Sequence, residues 1–359
     1  MPKIPAHTRL PFVLVTISAW LSPFAAAGEL PDPDGKSADM NKPVQVYILL
    51  GQSNMLGFGK VKPAKGKTEG SLIHATKEKG LYPYLIDEDG QWTERKDVRN
   101  VRVMGSGTGG SRLINNEWMT IKGNAIGPEI GIGHHVGNVT DAPVMILKSC
   151  IGNRALGWDL LPPGGEGFEF TDSKGVTWIH PGYKESPERW KKGEEPKPIK
   201  WYAGMQYDGD ITRAKKVLSE LNKYYPEATD YEVAGFFWWQ GDRDSRSEAL
   251  SSRYEKNLVH LIKQLRKDFD APHAKFVCAS LGQTKKGDTD GGGKILDAIL
   301  AVDGSSGKYP KFKNNVSAVY SHPLSKGSSS GSHYDGNAET YMNIGEAMGR
   351  AMVELIAAQ

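Results

Sequence analysis

The stretch VQVYILLGQSNM, residues 44–55, joins an apolar, β-branched run to a glycine and then a serine. The run predicts a buried strand that Gly51 ends, which leaves Ser53 in the following loop. In open α/β sheets, functional groups stand just past the carboxyl ends of the strands. A serine hydroxyl beside the N–H groups of a following helix is suited to act as a nucleophile. The alternative is an ordinary helix cap formed by Ser53 and Asn54.

Further apolar runs alternate with helical patterns along the chain, which predicts a parallel, doubly wound α/β sheet flanked by helices. Several runs are continuous rather than alternating, as in strands that are covered on both faces. A periodic terminal helix begins at Asn337 as its N-cap. The predicted strands are Val44–Leu50, Val101–Met104, Val144–Ser149, Val233–Trp238 and Phe276–Ser280, with 316–320 either a sixth strand or part of the last loop.

The composition is that of a soluble globular protein, with 38% hydrophobic and 24% charged residues in a chain of 359. The formal net charge is +3, and residues 1–27 hold two of the basic residues and no acidic one. A nearly neutral chain gives no electrostatic reason to bind nucleic acid or an anionic membrane. We therefore expect neither as a partner, and the sequence does not indicate an oligomeric state.

The first 27 residues have the features of a secretory signal peptide. Lys3 and Arg9 precede an apolar core, and Ala25-Ala26-Ala27 offers a cleavage site before Gly28. The core is too short to span a bilayer. We therefore expect a secreted or periplasmic protein, with an N-terminal leader at 28–43. A single domain would then cover 44–359, with insertions at about 57–124 and 160–201.

Five motifs together carry a family resemblance. They are the GQSNM run, Gly127-Pro128-Glu129, the strand and glycine from Ile146 to Gly152, WWQGD at 238–242 and the late His333. With these motifs the chain resembles the sialate O-acetylesterase-like and acetyl xylan esterase-like branch of the SGNH hydrolases, from about Val44 to the C-terminus. The resemblance implies a flavodoxin-like three-layer sandwich. It also implies a serine esterase that removes O-acetyl groups from carbohydrate, sialate or plant and algal polysaccharide, without a metal or cofactor.

The order serine, acid, histidine along the chain is one in which hydrolytic triads occur. His322 and His333 are both candidates for the general base, because both precede the terminal helix. Their positions alone leave this choice open. In the resembled family the base stands just ahead of that helix, which favours His333.

The acid of the triad departs from the family pattern. Many SGNH hydrolases carry Asp three residues before the histidine, where this chain has Ser330, which cannot carry the required charge. Asp242 in the Q-G-D turn is the first candidate, and Asp335 and Asp244 are alternatives. For Asp242, the other interpretation is a carboxylate that only favours a helix N-terminus.

An oxyanion needs preorganised hydrogen-bond donors. We expect the backbone N–H groups of Ser53 and Gly152 and the side-chain amide of Gln240 to supply them. Other polar and aromatic residues near these loops are candidate substrate contacts, although loop support, ion pairing and core packing are alternative roles. These candidates are Asn54, Asn153, Arg154, Arg243 and Trp158.

Cys150 and Cys278 both close apolar strands, and they either form one disulfide or remain buried thiols. Neither has the Cys/His spacing of a zinc site. The function expected from the residues and the resemblance is a secreted carbohydrate O-acetylesterase with Ser53, His333 and Asp242 as its triad. The alternatives are a non-catalytic carbohydrate-binding protein on the same fold and a general short-chain carboxylesterase.

Overall fold

The computed structural model of the chain describes residues 38–64, 67–327 and 332–358. These residues belong to one compact unit. The predicted signal peptide and most of the predicted leader lie outside the described residues.

Within the described ranges, twelve strands form three sheets. In chain order they are β1 Val44–Gly51, β2 Gly59–Lys60, β3 Arg95–Met104, β4 Arg112–Met119, β5 Ala125–Ile126, β6 Val144–Ser149, β7 Phe168–Thr171, β8 Thr177–His180, β9 Trp190–Lys191, β10 Tyr231–Trp239, β11 Lys275–Ala279 and β12 Val316–Val319. The central sheet has seven strands in the order β12-β11-β10-β1-β6-β3-β4. Only the β3–β4 pair in it is antiparallel.

Seven α-helices are present among the described residues: α1 Ser53–Leu56, α2 Glu129–Gly137, α3 Met205–Ser219, α4 Asp242–Ser245, α5 Glu248–Asp268, α6 Gly291–Ala301 and α7 Ala338–Ala357. Side chains of β1 point alternately to two cores. Val46 and Ile48 pack with α3, α5 and α6, whereas Tyr47 and Leu49 pack with α2 and α7. Helices therefore cover both faces of the sheet, which confirms the predicted α/β fold.

The strand order brings three loops together at the centre of the sheet. The parallel strands β10 and β6 lie on either side of β1, so the loops that follow these three strands are neighbours at one edge. The chain reverses its winding direction across β1, and such a switch point is where open α/β sheets bind ligands. Residues 52–54, 151–154 and 240–242 are therefore placed at one edge.

The structure defines three segments more closely than the sequence does. The segment 57–124 is not simply an insertion, because it supplies β3, which contains the predicted strand Val101–Met104, and β4 of the central sheet. By contrast, the segment 160–201 carries the separate three-stranded sheet β7-β8-β9. Residues 316–319 form a true strand at the sheet edge.

Cys150 and Cys278 are both fully buried and unpaired, so no disulfide joins them. Across the described ranges, no helix has both the length and the apolar character needed to cross a membrane.

Candidate active site

Ser53 stands where β1 turns into α1. Gly51 has φ 144°, and a Cβ atom there would lie 2.4 Å from the carbonyl oxygen of Trp239, so only glycine fits. The Gln52 N–H donates to that same carbonyl at 3.3 Å, which ties the turn to β10. Ser53 is the first residue of α1 and is half-buried. Its hydroxyl therefore lies at the carboxyl edge of the sheet on a tightly fixed backbone.

Gly152 brings a second loop against Ser53. A Cβ atom built on Gly152 would lie 3.6 Å from the Ser53 Cβ. The N–H groups of Ser53 and Gly152 donate to no other described residue. Two backbone donors are thus left unused close to the hydroxyl, as an oxyanion site requires.

Gln240 does not fit its predicted role as an oxyanion donor. Its side chain is fully buried, and its Nε2 lies 3.2 Å from Gln52 Oε1, 2.8 Å from the Arg154 carbonyl and 2.6 Å from Asp244 Oδ2. An amide nitrogen has two hydrogens, so these three acceptors leave none for a substrate. Gln240 instead joins the three loops beneath the site.

Asp244 is likewise a structural group. Its carboxylate is fully buried and accepts from the Leu156 N–H at 2.8 Å and the Gly157 N–H at 2.9 Å, besides Gln240. Burial raises its pKa to about 6. Because its oxygens are occupied by the loop after β6, Asp244 does not serve as the acid of a triad in this geometry.

His333 lies in an unusual turn. His333, Tyr334 and Asp335 have φ values of 53°, 57° and 54°, three consecutive residues in the left-handed region. L-residues rarely adopt this conformation in succession, and such strain is concentrated at functional sites. The strain is therefore an independent reason to look for function at this turn.

Tyr334 anchors that turn beside the nucleophile. Its ring is buried, and its hydroxyl accepts from Asn54 Nδ2 at 3.2 Å and from the Gly282 N–H at 3.0 Å. The residue after Ser53 is thus bonded to the residue after His333. Asn54 is buried and engaged in this contact, so it supports the loops rather than contacting a substrate.

The His333 ring is stacked on Phe58, with the ring centroids 4.0 Å apart and the planes inclined by 12°. Burial lowers the pKa of His333, while the negative charge of Asp242 acts in the opposite direction. Asp242 is half-buried and pairs with Arg246. No hydrogen bond joins His333 to Ser53 or to Asp242 within the described residues.

Asp335, the alternative acid, lies two residues after His333. It is exposed and lines a surface depression of about 540 Å³ together with Phe58, Lys60, Lys67 and His333. Asp242, and not Asp335, is the carboxylate whose charge raises the pKa of His333. The electrostatics therefore favour Asp242 as the partner of the histidine.

Arg154 and Arg243 lie at the rim of the site. The Arg154 guanidinium is 4.9 Å from the ring centroid of Trp201. Arg243 is paired with Glu188 at 3.5 Å, and both of these side chains are about one-third to one-half exposed. Arg154 and Arg243 are both partly exposed, so both remain candidate substrate contacts.

The other two predicted substrate contacts differ from each other. Asn153 is exposed with φ 55°, next to Gly152. Trp158 is buried in an apolar cluster with Ala155, Leu161 and neighbouring side chains. Its predicted contact with substrate is therefore wrong, because its ring forms part of the core.

A buried ion pair below the nucleophile was not predicted from the sequence. Lys148 Nζ donates to Glu129 Oε2 at 2.6 Å and to the Leu56 carbonyl, the last residue of α1, at 3.1 Å. Glu129 Oε1 also accepts from the Gly127 N–H at 3.0 Å. A lysine inside an apolar strand, together with the acid of the G-P-E motif, was the signal that could have revealed this pair.

The glycine-rich loop 105–110 after β3 was also missed. The Arg213 guanidinium donates to the carbonyls of Gly105, Gly107, Gly109 and Gly110, at 3.0 to 3.2 Å. Asp210 lies 2.9 Å from the same guanidinium, and burial raises the pKa of Asp210 to about 7. The loop is thereby held at the same edge of the sheet as Ser53.

No group of three or more His, Cys, Asp or Glu side chains with metal-binding spacing occurs in the part of the chain that the structure describes.

The chain is similar to several solved structures. A solved carbohydrate acetylesterase from Xanthomonas citri is 15% identical, with a TM-score of 0.50, and the match covers 88% of this chain and 57% of that one. A solved Arabidopsis thaliana protein is 17% identical, with a TM-score of 0.49, over 87% of this chain and 98% of that one. At such identities the likeness to the first shows the fold alone.

Among curated proteins, prefoldin subunit beta of Caldivirga maquilingensis is 27% identical over 93 residues, which are 26% of this chain and 77% of that protein. This match covers too little of the chain to bear on its activity. Residues 185–354 match the family described as carbohydrate esterase, sialic acid-specific acetylesterase. That segment contains Gln240, Asp242 and His333, while Ser53 precedes it. The match thus assigns just under half of the chain to a domain of the carbohydrate esterase, sialic acid-specific acetylesterase family.

Proposed function

We propose that the chain is an exported serine esterase that removes O-acetyl groups from carbohydrate with Ser53 as nucleophile, His333 as base and Asp242 as acid. The observation that carries the proposal is the hydrogen bond between Asn54 and Tyr334. It joins the residue beside Ser53 to the residue beside His333 across 280 positions of sequence. The two groups that a serine esterase needs are thereby held on adjoining loops.

In the proposed reaction, the Ser53 oxygen bonds to the acetyl carbonyl carbon and its proton passes to His333. The N–H groups of Ser53 and Gly152 donate to the oxyanion that forms. His333 then protonates the sugar oxygen as its bond to the acyl carbon breaks. Water then gives a proton to His333 and attacks the acetyl-serine carbonyl. The bond between the acyl carbon and the Ser53 oxygen breaks, His333 returns the proton to that oxygen, and acetate is released.

Asp242 would act on His333 by charge. A nearby carboxylate favours the imidazolium that forms when Ser53 loses its proton. The carboxylate is half-buried and shared with Arg246, so its effect on His333 is smaller than in a fully buried triad. Arg154, Arg243 and Asn153 at the rim are the proposed substrate contacts.

An assay on p-nitrophenyl esters of increasing acyl length, beside acetylated xylan and acetylated sialic acid, tests this function. We expect turnover that is highest for acetyl esters and that includes at least one of the two carbohydrates. Turnover of short-chain p-nitrophenyl esters with neither carbohydrate deacetylated would identify a general short-chain carboxylesterase instead. Labelling by a serine-directed phosphonate should map to Ser53.

Export is proposed from residues 1–27. We expect the mature chain to begin near Gly28 when it is expressed in a secreting host, as determined by N-terminal sequencing. An intact Met1 on active protein that stays in the cytoplasm would refute the signal peptide.

A further inference from the structure

Phe58 combines a fixed backbone with an exposed ring. It lies between Gly57 and Gly59, and 40% of its surface is exposed. A Cβ atom on Gly57 would lie 2.3 Å from the Gly127 Cα, and one on Gly59 would lie 3.0 Å from the Ala338 Cα. Both flanking residues are thus wedged against neighbouring backbone, and the ring between them is presented outward on a rigid support.

The Phe58 ring is stacked on the imidazole ring of His333. The parallel arrangement, with centroids 4.0 Å apart and planes inclined by 12°, covers one face of the imidazole. No described carboxylate is hydrogen-bonded to His333, and the position three residues earlier holds Ser330. Phe58 is therefore the one described side chain whose ring lies in stacking contact with the imidazole.

We propose that Phe58 is a positioning residue for the base: it fixes the plane of the His333 ring and stabilises the imidazolium through its π face. A cation over an aromatic face is attracted by the ring quadrupole. The attraction exists only in the protonated state, which forms as Ser53 attacks. The inference rests on the proposed role of His333 as the base.

Four charged groups also surround His333. Asp242 approaches from α4, Asp335 belongs to the same turn, and Lys60 and Lys67 line the adjoining depression. All four remain in a variant of Phe58, so a change in the titration of His333 isolates the contribution of the ring. Phe58 also helps to bury His333, and burial favours the neutral imidazole. A decisive variant must therefore keep the apolar cover and remove only the π face.

Phe58→Leu meets that requirement, and Phe58→Trp offers a stronger π face. The measurements are the pH dependence of kcat/KM on p-nitrophenyl acetate and the NMR titration of His333, with its signal assigned by loss in His333→Gln. We expect Phe58→Leu to lower the apparent pKa of His333 by about half a unit, as an exposed cation–π contact implies. We also expect plateau kcat to fall about fivefold because the ring is less well oriented. Phe58→Trp should retain both values or raise the pKa.

Tyr231→Leu is the matched control, since Tyr231 is 38% exposed at the opposite, amino end of β10. It should leave both readouts unchanged. The proposal is overturned if Phe58→Leu and wild type share one pKa and one kcat, or if only KM for acetylated carbohydrate rises, which would make the ring a sugar-binding surface. Activity retained by Ser53→Ala would instead overturn the proposed function itself.

Discussion

The two halves of the candidate site are held in different ways. Ser53 follows a strand that is buried at every position except Gln45. Its turn is closed by Gly51 against Trp239, and the end of its helix is tied to the buried Lys148. His333 lies in a left-handed turn anchored by Tyr334 and is half-exposed against Phe58. The nucleophile thus depends on the core of the fold, whereas the base depends on a few contacts at the surface. Substitutions around the base should therefore alter activity with little loss of stability, and those below the nucleophile should alter stability first.

The strongest test of the nucleophile side is Ser53→Ala. We expect kcat to fall by several orders of magnitude, about a million-fold in the best-studied serine triad. Folding should be nearly unchanged, because the hydroxyl is at the edge of the sheet and not in the core. Steady-state kinetics on p-nitrophenyl acetate and circular dichroism measure the two effects. Activity within about tenfold of wild type would end the serine esterase proposal.

On the base side, Asp242→Asn should lower kcat by about a hundredfold to a thousandfold, somewhat less than in the strongest known triad. Burial already lowers the pKa of His333, and Asp242 opposes this effect. Removing the negative charge therefore lowers the pKa further, so that the plateau of kcat/KM begins at a lower pH. A pH–rate profile measures the shift. Asp335→Asn is the control and should change kcat less than twofold; the reverse pattern would place the acid in the histidine turn.

Lys148→Met tests the support below the nucleophile. It leaves the Glu129 carboxylate buried without its partner, which should cost about 3–5 kcal/mol of the free energy of unfolding. The exposed pair Lys192–Glu169, joined at 2.8 Å, provides the control. Lys192→Met should cost less than about 1 kcal/mol. Urea unfolding followed by fluorescence compares the two variants. Equal losses in the free energy of unfolding would show that the buried pair contributes no more to stability than the exposed pair.

The smallest expected effect comes from Gly152→Ala. Its methyl group would sit 3.6 Å from the Ser53 Cβ without a clash, so the free energy of unfolding should hardly change. It would, however, crowd the space in which the oxyanion forms, and we expect kcat/KM to fall about tenfold to a hundredfold. Kinetics and urea unfolding on the same preparation separate the two quantities. An unchanged kcat/KM would remove Gly152 from the oxyanion site.

The fold was predictable because its strands are long apolar runs, as in Val44–Leu50 and Val144–Ser149, and continuous runs indicate strands that are covered on both faces. The predicted resemblance to sialate O-acetylesterases was likewise confirmed by the match over residues 185–354. Gln240 shows where sequence reasoning stops. Its side-chain amide donates to Gln52, 188 residues away in the sequence, and to Asp244. Only the folded chain shows that these acceptors leave the amide unable to donate to an oxyanion. The roles of Ser53, His333 and Asp242 remain predictions for the experiments above.

Cys150 and Cys278 are two native thiols whose reactivity can measure local opening of the central sheet. Each thiol is fully buried, at the end of β6 and in β11 respectively, and burial raises the pKa of Cys150 to about 12. Thiol reagents react with the thiolate, so neither side chain should be modified while the sheet is closed. The rate at which a reagent labels each cysteine then measures how often that part of the sheet opens. Labelling of Cys150 would follow the strand behind Gly152, and labelling of Cys278 would follow the opposite half of the sheet, without any probe being introduced.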